Sequence, residues 1–510
     1  MPYVVGVDGG TESLRAHVFT LDGRSIGTAA APYETRFPKP GRAEQTPGDW
    51  WRALGTAVRG AVSDAGIDAG DVAALGLDTT SCTVVALDAD GHALRPAILW
   101  MDMRAAREAE DVLATGDPAL ALNGAGQGPV SSEWMIPKAL WLKRHDPDVF
   151  NSAATICEYQ DYMIRHLTGR RVASLDNVAM RWHYRTGHGG WPTTLLQALD
   201  LDVLADKWPE EIVAPGAPVG KLTAEAADHL GLPQSVVVAQ GGADAFIGMI
   251  GLGVAKPGQL AMITGSSHLQ LGVTDQPMSA PGLWGSYADA VYPGRHIIEG
   301  GQTSTGSIIA WYQRLTGDHV DLERLNAEAA ALPPGAEGVM VLDHFQGNRT
   351  PHTDPLSRGA ITGLSLSHGP AHIFRAIIEG ICLGTRSILQ TMDRAGFTAS
   401  EIFVAGGATR SPLWLQIHAD TAQIPVKVPA FAEAPALGSA ILAAVGAGFY
   451  PDIDQAIDAM VRIDRTIEPD ASKAAAYAEL FDRYEQLYPL MKTLRDEPVA
   501  SSTSKGDAAS

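Results

Sequence analysis

The chain has 510 residues, 45% of them apolar and 19% charged, and 58 acidic against 38 basic residues give a formal net charge of −20. This length exceeds a typical single domain and suits large buried cores, while the acidic surplus excludes a surface that coats nucleic acid or hugs a membrane. The opening MPYVVGVDGG lacks the regions of a secretory signal, no apolar run approaches a membrane span, and Cys82, Cys157 and Cys382 form no CxxC pair, so a cytoplasmic location with buried thiols is expected.

In chain order, YVVGVDGG and LRAHVFTLDG read as hairpin strands around a polar knot, Gly9–Ser13. PGDWWRALGTAVRGAVSDAG has helical spacing and a closing glycine. DVAALGLDTTSCTVVALDADG reads as another strand–turn–strand unit, and PKALWLKRHDP and CEYQDYMIRHLTG as helices. VVVAQGGADAFIGMIG passes from a strand through Gly241–Gly242 into a helix beginning near Asp244. GLGVAKPG, Gly251–Gly258, has the composition of a hinge. Beyond it GQLAMITGSSHLQLGVTD repeats the layout of the first hairpin with different residues, as two similar α/β domains facing each other would. This assigns 1–253 to a first domain, 254–490 to a second and 491–510 to a polar tail expected to be disordered. In the second half, HIFRAIIEGICLGTRSILQTMDRAG and PALGSAILAAVGAG are helices, and RSPLWLQIHADTAQI opens one with Ser411 as cap and Pro412 behind it.

Glycine permits positive φ and close backbone approach, so Gly9 and Gly10 can aim amides at an anion. Thr11 and Ser13 add hydroxyls, Arg15 adds charge, and Asp8 is placed to hold a water on a metal. A plain hairpin turn accounts for one such knot. A second, Thr264–Gly265–Ser266–Ser267, favours two hairpins holding the phosphates of one nucleotide. The cradle is not a P-loop: GAPVGKL at 216–222 has one residue too few between its glycines and Leu where Ser or Thr is required. Asp244 reads either as a helix cap or as a general base, which the helix N-terminus is expected to keep ionised by lowering its pKa. The turn Gly406–Gly407–Ala408 reads as a strand-to-helix connection or as a seat for a flat base.

Together these units resemble the FGGY carbohydrate kinases of the sugar kinase/actin/heat-shock chaperone superfamily, over about Tyr3 to Leu490. GAITGLSLSHGPAHIFRAIIE, Gly359–Glu379, is similar to the second family signature position by position, and MIPKALWL, with Lys138 and Trp141, to the first. The resemblance implies two actin-like (ribonuclease H-like) α/β domains with a nucleotide cleft between them, and an ATP-dependent kinase acting on a small polyol or ketose. By it Asp244 is the catalytic base. Gly10, Thr11, Ser13, Arg15, Thr264, Gly265 and Ser266 face the phosphates; Gly306, Ala310, Gly407 and Ser411 lie beside ribose and adenine; and Asp8 organises the Mg²⁺ that arrives with ATP. The turn Thr79–Cys82 looks like that of ribulokinases, which puts Ser81 and Cys82 at the sugar. Glu133, in SSEWMIPKALWL, and Asp102, with Arg104 in WMDMRA, are further polar candidates, each also readable as a solvated carboxylate. Arg181 stands where related ribulokinases often carry Lys, which bears on which hydroxyl is read. The resulting expectation is phosphorylation of a ribulose-type ketopentose at its terminal hydroxyl. D-Xylulose or a sugar alcohol is the alternative, and an actin-like ATPase or a non-catalytic sugar sensor the remoter one. A homodimer is left open.

Overall fold

A computed structural model describes residues 1–187, 189–317 and 321–496. The N-terminal half is organised by a six-stranded sheet in the order Pro218–Lys221, Val237–Ala239, Val72–Thr79, Tyr3–Gly9, Ser13–Phe19, Ser25–Pro32. Its centre is the hairpin expected from the alternating apolar residues of VVGVDGG and LRAHVF, with Gly9 opposite Leu14. Strand Val72–Thr79 runs parallel to the first strand and sets Asp78 beside Asp8 and Thr79 beside Gly9. Helix Pro47–Ala65 covers the outer face with Trp50, Leu54, Val58 and Ala61 and ends where Gly66 takes φ 63°, a conformation only glycine adopts freely.

The C-terminal half repeats the plan in a seven-stranded sheet, Trp284–Ala288, His296–Gln302, His268–Thr274, Gln259–Thr264, Glu401–Gly406, Val426–Pro429, Ile463–Ile467. Its central hairpin pairs Thr264 with His268, and its first strand runs parallel to Glu401–Gly406. The duplicated layout in the sequence is thus a duplicated hairpin with a parallel neighbour on one side.

The strand–turn–strand unit around Thr79–Cys82 is present as Val72–Thr79 and Val84–Leu87, and its two strands lie in different sheets. Val84–Leu87 joins a separate four-stranded sheet, because the chain turns away at Cys82, whose φ of 61° is left-handed. The proposed boundary at residue 253 divides the sequence but not the packing, since each half lends a helix to the other. Helix Ala434–Gly446 lies on the N-terminal sheet, so close that a Cβ on Gly6 would stand 2.0 Å from the carbonyl oxygen of Ala436, and one on Gly76 2.2 Å from that of Ser439. Helix Asp244–Leu252 crosses it and touches the C-terminal strands Gln259–Thr264 and Glu401–Gly406. At the crossing a Cβ on Gly438 would meet the oxygen of Ile247 at 2.1 Å, and one on Gly251 that of Ala434 at 1.9 Å. The apolar residues of both helices join Val4, Phe19 and Ala74 on one side and Ala261, Leu271 and Phe403 on the other into one core between the halves. Lastly, helix Ala474–Asp496 carries 491–496 of the expected tail; 497–510 lie outside the described residues.

Candidate active site

Helix Asp244–Leu252 touches the central strands of both sheets, and Asp244 begins it. Gly241 and Gly242 bring it there. A Cβ on Gly241 would lie 1.8 Å from the oxygen of Leu77, and one on Gly242 2.2 Å from Asp176 Oδ2, so no other residue fits this passage. Asp176 accepts a hydrogen bond from the Ala243 N–H at 2.7 Å, and the Thr79 N–H donates to the Gly242 oxygen at 3.0 Å. The cap position belongs to Ala243, leaving Asp244 as the first helical residue, where its Oδ1 accepts from the Ala245 N–H at 2.7 Å. The expected depression of its pKa does not occur. Burial, and after it the charge of Asp8, push the carboxyl up to about 7, against the smaller pull of the Ala245 N–H. The helix N-terminus loses to desolvation.

Around the first turn, Gly10 is open: a Cβ there would find only the Ser13 oxygen at 3.4 Å and Asp8 Oδ1 at 3.9 Å. Neither Gly9 nor Gly10 uses positive φ, so the glycines serve close approach rather than an unusual backbone. The Thr11 hydroxyl accepts from the Trp100 indole N–H at 3.1 Å, Ser13 is half-buried, and the exposed Arg15 reaches Asp8 at 3.9 Å. Burial raises the pKa of Asp8 while Arg15 opposes it. The Tyr33 hydroxyl holds the turn from below by donating to the Gly10 oxygen.

On the second turn Gly265 and Ser266 are exposed. Thr264 is not available in the way expected. Its hydroxyl donates to the Ala405 oxygen at 2.6 Å and accepts from the Ala408 N–H at 3.1 Å, so its side chain ties the turn Gly406–Ala408 to the hairpin. Gly306 opens helix Gly306–Thr316 against the same turn, where a Cβ would meet the Gly265 oxygen at 2.4 Å. Ala310 follows one turn later, half-buried. Gly407 faces open space: the one atom near the place a Cβ would take is Arg410 Nη2, at 4.0 Å. Ser411 is the cap that the sequence indicates. It caps helix Pro412–Ala422 by accepting from the Trp414 N–H at 3.2 Å and gives its proton to Asn326 Oδ1 at 2.6 Å.

The isolated pairing of Thr79 with Ala243 sets the turn Thr79–Cys82 beside Asp244. Ser81 is half-buried and Cys82 buried. The Cys82 N–H donates to Glu158 Oε2 at 2.8 Å, its carbonyl accepts from Lys138 Nζ at 2.6 Å, and burial followed by the charge of Glu158 pushes the thiol up to about 12. Lys138 is fully buried, also donates to the Leu99 oxygen at 2.6 Å, and is brought down to about 8 by burial. Its place in the sequence signature is therefore that of a brace under the turn. Glu133 is half-buried and its carboxylate has no hydrogen-bond partner among the described residues. Asp102 is corrected: Oδ1 accepts from the N–H and Nε of Arg104, Oδ2 from Arg104 Nη2 and the Ala43 N–H, which fills the acceptor capacity of a carboxylate. Arg181 is buried and reaches across the cleft floor, donating to the Tyr287 hydroxyl at 2.7 Å and to Glu299 at 3.0 Å. Sequence reasoning passed over Asp78, Asp176 and Glu299, although Asp78 stood inside the stretch LDTTSC.

Two lobes, each built on a central hairpin with a parallel neighbour, and an acid at the head of the helix between them are the arrangement of an actin-like fold. The N-terminal domain of the "FGGY family of carbohydrate kinases" matches residues 3–251 and its C-terminal domain residues 260–447. The chain is 31% identical to an FGGY carbohydrate kinase domain-containing protein of Danio rerio, over 96% of this chain and 98% of the relative. It is 32% identical to a ribulokinase of Geobacillus thermodenitrificans, over 95% and 94%. Among solved structures, one titled as a xyloylose kinase from Brucella ovis superposes with a TM-score of 0.89 at 27% identity, covering 96% of this chain and all of that one (100%). The protein belongs to the FGGY family of carbohydrate kinases and is a sugar phosphotransferase. No helix among the described residues is long and apolar enough to cross a membrane.

Proposed function

We propose that the enzyme transfers the γ-phosphoryl group of ATP to the terminal hydroxyl of a ribulose-type ketopentose, giving the pentulose 5-phosphate and ADP. The observation that carries this reading is the pairing of Thr79 with Ala243, which puts a ribulokinase-like turn, Thr79–Cys82, against the base. Near-full-length similarity to a ribulokinase supports it. The structural likeness to the Brucella ovis protein keeps D-xylulose as the second reading.

In this scheme Asp244 accepts the proton of the attacking hydroxyl, and a pKa near 7 matches a base that works close to neutrality. Ser81, Cys82 and Glu133 line the sugar side, while Arg181 supports the wall from beneath. The amides and hydroxyls of Gly10, Thr11, Ser13, Gly265 and Ser266 face the phosphates with Arg15. Thr264 and Ser411 shape the nucleotide side through the backbone they hold, and Gly306, Ala310 and Gly407 leave room for ribose and base. The residues fit a hard cation. Asp8 has only a distant, exposed arginine for a counter-charge, and oxygen ligands are what Mg²⁺ takes. Asp8 would hold it, and when bound it would neutralise charge on the transferred phosphoryl group. Exclusion of water by closure of the lobes would direct transfer to the sugar rather than to hydrolysis.

The test is an ADP-release assay across D- and L-ribulose, D- and L-xylulose, alditols and glycerol. Highest kcat/KM on a ribulose is expected. Highest activity on D-xylulose or glycerol overturns the substrate, and ADP release indifferent to any sugar overturns the kinase mechanism.

A further inference from the structure

One buried acid beside the base has no role in the scheme above. Asp78 ends strand Val72–Thr79 next to Asp8 in the parallel register and is fully buried. Its Oδ2 accepts from the Ser439 hydroxyl at 2.7 Å. Its Oδ1 has no donor among the described residues while both acids are ionised, and the Asp8 carboxyl lies within hydrogen-bonding reach of Asp78.

A structural role explains only half of this. Ser439 belongs to helix Ala434–Gly446, which Gly6 and Gly76 admit to near backbone contact with the N-terminal sheet. A serine–carboxylate pair is a reasonable tie there, but an asparagine would accept the same hydroxyl and could donate to Asp8 as well. A second carboxylate in that place leaves one oxygen without a donor, which costs roughly 1–3 kcal/mol for a buried group. It also sets two acids side by side, and each resists ionisation of the other. The nearest balancing charge, Arg15, lies 3.9 Å from Asp8 on an exposed side chain. Asp244 adds a third acid: Thr79, the residue after Asp78, pairs with Ala243, the residue before Asp244, and the Thr79 N–H donates to the Gly242 oxygen at 3.0 Å. Buried acids in such a group are stable when a cation faces them.

We propose that Asp78 is the third carboxylate of the cation site, holding, with Asp8 and Asp244, the water shell of the divalent ion that accompanies the nucleotide. Ser439 fixes its rotamer by occupying Oδ2 and leaving Oδ1 free. Mg²⁺ keeps several of its waters in protein sites, so a carboxylate as deep as Asp78 acts through a water and orients it, as outer partners of metal ligands do. The C-terminal half thereby contributes to the ion through one hydroxyl of its lent helix. This inference rests on the reading of the cleft as a nucleotide site.

The experiment measures Mn²⁺ binding by electron paramagnetic resonance in the full chain saturated with a non-hydrolysable ATP analogue. It compares wild type, Asp78→Asn, Ser439→Ala and, as reference, Asp8→Asn, with nucleotide affinity in EDTA and melting curves measured alongside. Asp78→Asn is expected to weaken Mn²⁺ binding about 10–100-fold and to leave metal-free nucleotide affinity within about twofold. Ser439→Ala, the milder change should Asp78→Asn not fold, is expected to weaken Mn²⁺ binding several-fold. Unchanged Mn²⁺ affinity in the folded Asp78 or Ser439 variant, with loss in Asp8→Asn, overturns the role of Asp78 and leaves the kinase reading standing. A wild-type chain that binds no nucleotide overturns both.

Discussion

Replacing Asp244 by Asn should abolish turnover and stabilise the protein, in proportions set by pH. The side chains are nearly isosteric, so the Ala245 N–H keeps an acceptor, but Asn cannot take the proton of the sugar hydroxyl. General base catalysis contributes about 10²–10⁴-fold, so kcat should fall by at least that factor with nucleotide affinity retained. The stability effect follows from the pKa. An acid raised from 3.8 to about 7 by burial adds nothing unfavourable below pH 4, where folded and unfolded chains are both protonated. Between pH 3.8 and about 7 the unfolded chain ionises the group while the folded chain keeps it protonated, so stability falls by about 1.4 kcal/mol per pH unit, and above 7 the loss stays constant. That sets a ceiling of about 4 kcal/mol, and water reaching the half-buried carboxylate from the cleft lowers it to roughly 2–4 kcal/mol. Asn carries no such cost. Denaturant unfolding of both chains at pH 4.5 and pH 8.5 checks this: the variant should gain stability at pH 8.5 and little at pH 4.5. In wild type, kcat/KM should fall as pH drops below about 7, because the base is then protonated. A variant with wild-type turnover, or one gaining equally at both pH values, refutes the assignment of a buried, ionising base.

Lys138→Met removes the donor that holds the carbonyls of Cys82 and Leu99; a loss of about 2–4 kcal/mol in unfolding free energy and a raised KM for sugar are expected from melting curves and steady-state kinetics. Gly438→Ala places a methyl 2.1 Å from the Ile247 oxygen, so the helix crossing must part, and a loss of about 3 kcal/mol or more is expected by denaturant titration. Gly10→Val meets no such obstacle, the nearest atom being 3.4 Å away; it should fold normally yet weaken nucleotide binding at least about tenfold in calorimetry, because the branched side chain occupies the space above the turn.

The hairpins, the order of the two halves and the acid at the head of its helix were legible because each is written locally, in strand alternation, glycine position and cap residues. What was hidden depends on pairs distant in sequence. Asp8 and Asp78 become neighbours only through parallel pairing of strands 70 residues apart in number. The small residues of PALGSAILAAVG announced a helix but not that Gly438 and Ala436 exist to let backbones touch. Thr264 was read as a phosphate contact, yet a hydroxyl at a turn competes equally well for the backbone beside it, and here the backbone won; the cap at Ser411, by contrast, was legible from the proline behind it. The pKa of Asp244 was read from the helix dipole, a surface-scale effect that burial outweighs.

The forked side chain of Arg181 has a role that can be tested. Its guanidinium leaves the N-terminal half and bonds both the Tyr287 hydroxyl and the Glu299 carboxylate on neighbouring C-terminal strands. An ammonium is a point charge and cannot span two acceptors in that fixed geometry. Arg349 ion-pairs with the same carboxylate while stacking 3.6 Å from the centre of the Trp284 ring, so one buried acid balances a buried and a half-buried cation. Glu299→Gln keeps an acceptor but removes that balance, and breaking a buried pair from one side costs about 3–5 kcal/mol. Arg181→Met leaves Glu299 with Arg349 and should cost less. On the proposed reading the turn at Cys82 lines the sugar, and the charge of Arg181 acts on the Cys82 thiol, so one residue would serve both the tie between the halves and the sugar side. Arg181→Lys should therefore raise the sugar KM more than it lowers kcat, with melting nearly unchanged. Equal melting of Glu299→Gln and wild type would mean that the lobes are held by the shared apolar core alone, and that the guanidinium was selected for the sugar.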